Sequence, residues 1–536
     1  MCGIAGIWGT ADAATLERLL NRLAHRGPDG RGIHRVDGVG VIGSNRLAIM
    51  DPAGGAQPLY SEDRTIAAVV NGEIYNAPQL RDQLAATHRM ATGSDCETVV
   101  HLFEDCDHAA FGLLDGMFAA AVVRGSRLVL ARDPLGIKPL YYAWNGRLGA
   151  GLRLRFASEM HALADAPDPI TAMPPGGLFD SERGPGSFSP GGAALPMPEP
   201  LADDPDEIAR RLAEAVRKAV RSHLMSDVPV GVFVSGGLDS SIVAAVAREH
   251  LPQLHTFSVG CDGSEDLEKA RVLAQILGTD HHEYVFSVDE VAAELPRIAH
   301  HLESYDRYLV TNAIPNWFCA RLAARHIKVA LCGEGSDELF AGYTYYQKYQ
   351  DPAILNRELH RTTADLHQTN LQRVDRMTMA HGVECRVPFF SRDVVNLALA
   401  IPTQWKLRDG PGGARFGKWI LRRAFDGLLP DEFIWGGKRN FDEGSAITTV
   451  LDAAVAKAAE TAGVSLKRHR RKYEYRQLKR PAEALFHYFM TQEFGGQSPV
   501  LDGVARWSRD CIREPHEPLP PPAPPRRRGW RAWFRR

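Results

Sequence analysis

Cys2 stands directly behind Met1, so removal of the methionine puts a thiol and a free α-amine on one residue. That amine, with an ordinary pKa of about 8, can take the thiol proton directly or through a water, and the nucleophile then carries its own base. The bland alternative is a small buried cysteine that opens a strand. The residues that follow weigh against it. A thiolate attacking a carboxamide needs donors aimed at the developing oxyanion, and the run 71–76, NGEIYN, offers the Asn71 side chain and the next backbone N–H, at Gly72. It also needs grips for the two ends of an amino acid. Arg46, in RLAI, suits a bidentate hold on an α-carboxylate, and Glu73 with Asp95, in GSD, suits an α-ammonium.

A second set of chemical residues lies far downstream. The run 235–241, SGGLDSS, sits between an expected strand over 230–234 and an expected helix over 242–248. Strand, glycine turn and helix aim backbone N–H groups and a helix dipole at an anion. Gly236 and Gly237 let the chain approach phosphate, Ser235 and Ser240 add hydroxyls, and Asp239 suits magnesium. No Lys-Ser or Lys-Thr follows the glycines, so this is not a Walker loop. A second apolar strand runs into Gly333, Glu334 and Asp337, where another magnesium contact and a general base are expected. Lys438, in the glycine turn GGKRNF, suits the charge on an α-phosphate.

MCGIAG, HRGPDG, RLAI, NGEIYN and GSD, in this order, resemble the glutaminase domain of class II, N-terminal-nucleophile glutamine amidotransferases. SGGLDSS resembles the pyrophosphate loop of the ATP pyrophosphatases. With GEGSDE, the run from Arg373 to Phe389, KWILRRAF and GGKRNF added, the chain resembles glutamine-dependent asparagine synthetase over roughly residues 1–500. The resemblance implies an α+β N-terminal-nucleophile sandwich of antiparallel sheets, followed by an α/β parallel-sheet ATP-pyrophosphatase domain. It implies that Cys2 releases ammonia from glutamine, that ammonia crosses an internal tunnel, and that the second site activates aspartate with ATP as an acyl-adenylate, releasing AMP and pyrophosphate. Carried over by residue, it gives Asn71 and Gly72 the oxyanion, Arg46, Glu73 and Asp95 the glutamine, and Ser235, Gly236, Gly237, Leu238, Asp239, Ser240 and Gly333 the ATP and pyrophosphate. Asp239 and Asp337 take Mg2+, Glu334 is the base, and Lys438 meets the phosphates.

One departure bears on the acceptor. After ESYD at 303–306, the family's aspartate-contacting threonine and arginine are replaced by Tyr308 and Thr311, with Arg307 or Arg321 as substitute clamps. Amidation of another carboxylic acid in a specialised pathway is the alternative this opens. A β-lactam-synthetase-like cyclase is another, against which the intact Cys2 pocket counts, and a non-catalytic scaffold is a third.

These residues need two units to position them. The 536 residues, 44% apolar and 24% charged, suit two or more ordinary domains. A net charge of −2 gives no reason to expect nucleic acid as a partner. No run reaches the roughly 18 apolar residues that cross a bilayer, and the expected location is cytoplasmic. The eight cysteines form no C-x-x-C and read as reduced thiols, with no zinc site among them. Short β-branched runs over 66–70 and 128–131 predict antiparallel sheets. A helix over 204–228, with strands beyond it, predicts a parallel sheet. The expected divisions are a glutaminase domain over 1–183, a Pro/Gly linker over 184–203, a synthetase domain over 204–511 and a Pro/Arg-rich tail over 512–536. The tail interleaves arginines with Trp530, Trp533 and Phe534 behind a proline-rich spacer. Its readings are a disordered solvated end, or a docking element for a partner protein or an anionic membrane surface. A homodimer is the oligomer considered.

Overall fold

The structure, a computed structural model, describes residues 1–188, 195, 198–409, 415–437, 444–496 and 498–504. The first unit is a sandwich of two six-stranded antiparallel sheets. Its strands are β1 (Cys2–Trp8), β2 (Gly30–Val36), β3 (Gly40–Arg46), β4 (Leu59–Tyr60), β5 (Ile66–Ile74), β6 (Gly116–Arg124), β7 (Arg127–Arg132), β8 (Tyr141–Trp144), β9 (Leu154–Ala157), β10 (Ile170–Ala172), β11 (Gly177–Asp180) and β12 (Gly184–Ser187). One sheet runs β10-β8-β9-β1-β3-β2 and the other β12-β11-β7-β6-β5-β4. Ile4, Trp8 and Ile42 of the first pack against Val69, Ala121 and Leu130 of the second. Every residue of β5 is buried, as a strand covered on both faces must be. The stretch expected to open the linker at 184 instead pairs with β11 as an edge strand. Pro185 is tolerated there because an edge leaves one side of the backbone unpaired.

The second unit carries β13 (Val230–Phe233), β14 (His255–Gly260), β15 (Asp280–Val285), β16 (Val329–Leu331) and β17 (Glu384–Arg386), all parallel, in the order β15-β14-β13-β16-β17. Five of its helices matter below: α1 (Pro205–His223), α2 (Leu238–His250), α3 (Val288–Leu302), α4 (Arg307–Ala323) and α5 (Asn370–Met379). Helix α1 starts where expected, because the Asp204 carboxylate accepts the N–H groups of Asp206 and Glu207. It ends at His223, five residues before the expected 228.

The two units share one apolar core. Ile7, Leu16 and Leu20 of the first lie in the same cluster as Leu295, Ile298 and Trp317 of α3 and α4. Beside this core sits a buried ionic network. Arg26 donates to Glu159 at 2.6 Å and to Asp375 of α5 at 2.8 Å, and Arg376 of α5 donates to Glu303 at 2.9 Å. Lys138 approaches Asp375 at 3.6 Å. None of these side chains is more than 3% exposed.

Removing one partner of such a network strands a charge in a low-dielectric interior, at a cost of about 3–5 kcal/mol. Asp375→Ala should therefore lose that much stability in urea melts. Asp393→Ala, which breaks an exposed 2.7 Å pair with Lys218, should change stability by less than about 1 kcal/mol. Equal losses would mean that burial does not set the strength of these ion pairs.

Candidate active sites

Cys2 opens β1 opposite Arg46 of β3 and is 3% exposed. Its backbone N–H donates to Asn71 Oδ1 at 3.1 Å, which fixes the orientation of that amide. Asn71 Nδ2 is buried and makes no hydrogen bond, so a donor stands free beside the thiol. Gln57 Nε2 lies 3.6 Å from Cys2 Sγ, and the same side chain exchanges two hydrogen bonds with the backbone of Val70. Burial pushes the Cys2 thiol up, while the N-terminal ammonium and Arg46 pull in the other direction. Met1 is present here, and its amine lies 3.1 Å from Glu384 Oε2. Burial opposes the charge on that amine, but Glu384, Cys2 and Glu73 outweigh it and raise its pKa.

Glu73 and Asp95 are both buried in the same pocket. Asp95 Oδ2 accepts the Ile74 N–H at 2.7 Å, and Glu73 Oε2 lies 3.1 Å from Arg386. Glu73 Oε1 makes no hydrogen bond. Burial and then the Asp95 charge push Glu73 well above the carboxylate range, with Arg386 opposing, and burial raises Asp95 as well. Two carboxyl groups held this way gain from an arriving cation. Arg46 differs from its sequence expectation. Its guanidinium donates to the carbonyls of Met50, Asp51 and Pro52 at 3.0, 2.7 and 3.1 Å, so it fastens the loop over the pocket rather than presenting an open fork.

The pocket floor comes from the other unit. Arg386 of β17 donates to Glu384 at 2.5 Å and to the carbonyls of His223 and Met225 at 2.7 and 2.6 Å, besides facing Glu73. Glu384 and Arg386 belong to the run 373–389, but neither was singled out, because nothing local in sequence ties residue 386 to residue 73.

The second site occupies the point where the sheet's connections reverse. From β13 the chain moves outward to β14 and β15, then crosses to β16 and β17, so the loops after β13 and β16 meet at the carboxyl ends of adjacent strands. A cavity of about 820 Å³ there is lined by residues 235–240 together with Gly333, Glu334 and Asp337. Gly236 sits at φ +67°, and Ser235 and Ser240 staple the turn, with Ser235 N–H donating to Ser240 Oγ at 3.2 Å. A Cβ on Gly333 would come within 2.7 Å of the Asp239 Cβ, so only glycine lets the loops close on each other.

Between the loops lies a lysine that the sequence reading quoted only within KWILRRAF. Lys418 Nζ is 2.5 Å from Asp239 Oδ2 and 2.7 Å from Asp337 Oδ1, and Asp239 Oδ1 accepts from Ser336 at 2.8 Å. Lys418 is 2% exposed and sits at φ +58°, a left-handed conformation uncommon for non-glycine residues. Arg373 of α5 holds the Glu334 carboxylate at the cavity edge. Two facing carboxylates, hard oxygen donors opposite a phosphate loop, fit Mg2+ in their chemistry. Lys438 lies outside the described residues, as does the 512–536 tail.

The candidate acceptor clamps divide. Tyr308 lines the cavity, with the Arg307 guanidinium 4.7 Å above its ring. Thr311 turns its hydroxyl back onto the Arg307 carbonyl at 2.8 Å. Arg321 does not serve as a clamp: it pairs with Glu294 at 3.4 Å and lies on the Phe318 ring, held there by charges of α3. Cations that do line the cavity include Lys269, Lys348 and Arg415.

Residues 1–179 match the family described as glutamine amidotransferase domain, and residues 211–353 and 348–486 match asparagine synthase. Asparagine synthetase (glutamine-hydrolyzing) 2 of Arabidopsis thaliana is 39% identical over 473 residues, 83% of this chain and 79% of that protein. Asparagine synthetase (glutamine-hydrolyzing) 3 of the same plant is 39% identical over 86% of this chain and 82% of that protein. The corresponding protein 2 of Oryza sativa subsp. japonica is 38% identical, with 83% and 77% covered.

Asn71→Ala removes the free donor beside Cys2 and should lower kcat for thiol-dependent amide hydrolysis about a hundred- to a thousandfold, with a smaller change in KM. A change confined to KM would assign Asn71 to binding instead. A pH effect follows from Glu338, next to Asp337, whose carboxyl burial and the Asp337 charge push from 4.5 up to about 8. Between those values the folded protein keeps a proton that the unfolded chain releases, so this group lowers stability as pH rises from 4.5 to 8. Glu338→Gln should flatten that part of the stability profile, as read from urea melts at several pH values. An unchanged slope would refute the assignment.

Proposed function

This chain belongs to the glutamine-hydrolysing asparagine synthetase family, and we propose that its two sites run one reaction in sequence. It is a ligase that uses glutamine and ATP to amidate aspartate, forming a C–N bond. With Met1 removed, the Cys2 amine accepts the thiol proton and Sγ attacks the side-chain amide carbon of glutamine. Asn71 Nδ2 and the Gly72 N–H receive the oxyanion, Glu73 and Asp95 hold the α-ammonium, and Arg46 takes the α-carboxylate in exchange for its loop carbonyls. Ammonia leaves, and water cleaves the thioester to release glutamate.

In the second site the β-carboxylate of aspartate attacks the α-phosphorus of ATP, and pyrophosphate departs into the loop 235–240. Magnesium held by Asp239 and Asp337 would neutralise phosphate charge as it develops. Lys418 keeps the two carboxylates from repelling each other, and Glu334, oriented by Arg373, takes a proton as ammonia attacks the acyl carbon and AMP leaves. Lys438, outside the described residues, is given the phosphates by the family resemblance alone. Lys269, Lys348 and Arg415 are the cations that can hold the second carboxylate of aspartate where Tyr308 and Thr311 stand. The reading rests above all on the juxtaposition, within one chain, of a thiol with a free amide donor and a phosphate loop facing an acidic loop. The relatives favour aspartate over another acid. The Cys2 pocket counts against a cyclase, which has no use for ammonia.

Cys2→Ala should abolish glutamine hydrolysis while ammonia still supports asparagine formation. Glu334→Ala should stop asparagine formation with either nitrogen source and leave basal glutaminase activity within about twofold. Mass spectrometry of products from 15N-labelled glutamine or ammonium, with pyrophosphate release, measures both. Glutamine hydrolysis surviving in Cys2→Ala, or ammonia failing to rescue it, would overturn the division of labour. No asparagine from the parent enzyme at millimolar aspartate would move the acceptor to another acid.

A further inference from the structure

The first unit carries a group of side chains that neither reaction uses. Glu62 lies in the turn between β4 and β5, His88 in the segment after the helix Ala77–Leu84, and His101 and Glu104 one turn apart on the helix Glu97–Cys106. One ligand atom from each falls within 4.8 Å of all the others. His101 is completely buried, yet neither of its ring nitrogens makes a hydrogen bond, and Glu104 Oε2 is buried without one as well. Polar atoms left this way cost free energy unless something meets them.

Three of the separations, two of them to different oxygens of Glu62, lie near those of a tetrahedral ion, and small side-chain shifts would close the rest. Zinc bonds of about 2.0–2.1 Å to nitrogen and oxygen place neighbouring ligands about 3.3 Å apart. Here His101 Nδ1 is 3.4 Å from Glu62 Oε2, His88 Nδ1 is 3.5 Å from Glu62 Oε1, and His88 Nδ1 is 3.8 Å from Glu104 Oε2. Each imidazole also turns its other nitrogen to a carboxylate, His88 Nε2 to Asp105 at 3.0 Å and His101 Nε2 to Glu97 at 3.6 Å. A carboxylate behind the distal nitrogen fixes tautomer and ring orientation in metal-bound histidines. Two imidazoles and two carboxylates suit a borderline ion such as zinc better than magnesium or calcium.

Three other histidine-containing groups lack this combination; in one, Glu159, His161 and Glu303, both carboxylates are paired with arginines. In the group His25, Glu159 and His301, the carboxylate is already engaged by Arg26. In the group His255, Asp280 and His282, the histidines hydrogen-bond to each other at 3.1 Å.

We propose that Glu62, His88, His101 and Glu104 form a four-coordinate site for one divalent ion of the zinc class. The ion ties the β4–β5 turn and the 88–92 segment to the helix that begins two residues after Asp95, and so braces the glutamine pocket from behind. Cysteine spacing could not reveal it, because no cysteine takes part.

The test uses the full chain, stripped with EDTA, dialysed and titrated with Zn2+ against a chromophoric chelator, with Co2+ as an optical probe. One equivalent of Zn2+ should bind and raise the thermal midpoint, and Co2+ should give the visible bands of a four-coordinate nitrogen and oxygen site without thiolate charge transfer. His88→Gln and Glu62→Gln, on the rim of the site, should each weaken binding at least tenfold while glutamine hydrolysis persists, and His255→Gln should leave binding unchanged. Binding that survives both rim variants, that falls with His255→Gln or that shows thiolate bands would overturn the proposal, as would no binding at micromolar Zn2+.

Discussion

Everything else in this molecule depends on two charges on a three-residue strand. Glu384 and Arg386 of β17 belong to the second unit but are buried under the glutamine pocket of the first, where they meet the N-terminal amine and Glu73. Neither charge is affordable alone in that interior. The Arg386 charge is compensated only when Glu73, Glu384 and the carbonyls of His223 and Met225 surround it, and those groups come from three separate stretches of chain. The thiol site is therefore complete only once the units have docked.

The same strand reaches the other site through its neighbour. β17 pairs with β16, and Cys332, at the head of the acidic loop, donates its N–H to the Arg386 carbonyl at 3.0 Å. The floor of the thiol pocket and the acidic loop after β16 are thus adjacent rungs of one sheet. Alongside, Arg26, Glu159, Asp375 and Arg376 make a second buried fastening, with α5 contributing both to it and, through Arg373, to the orientation of Glu334. Apolar surface brings the units together without direction, and the charges specify the one arrangement in which none is left unpaired.

What was legible in the sequence was what local chemistry marks. Cys2, the Asn71 turn and SGGLDSS stand out in sequence because the roles proposed for them, nucleophile, oxyanion donor and phosphate loop, need particular residue types within a few positions. The sandwich and the parallel sheet followed from short β-branched runs between turns in the first unit and strand-helix alternation after 204. The parts that were missed act across long separations. Lys418 meets Asp239 across 179 positions and Arg373 meets Glu334 across 39, and Gln57 reaches Cys2 across 55. A lone lysine or arginine in a helical run looks like a solvated charge until the fold supplies its partner. Arg46 shows the converse: its type suits a carboxylate, and in this structure three nearby loop carbonyls engage it.

The brevity of β17 has a consequence for how this chain can vary. Glu384 and Arg386, two apart, project to one face of the sheet, and Cys385 projects to the other. Deleting or inserting a single residue between Val383 and Val387 would exchange those faces, burying a thiol under the glutamine pocket and driving two charges into the opposite apolar layer. Drift in length is thus barred from this stretch by packing and charge alone. Among descendants of this chain, insertions should accumulate in the edge turns of the sandwich, while the spacing from Val383 to Val387 stays invariant.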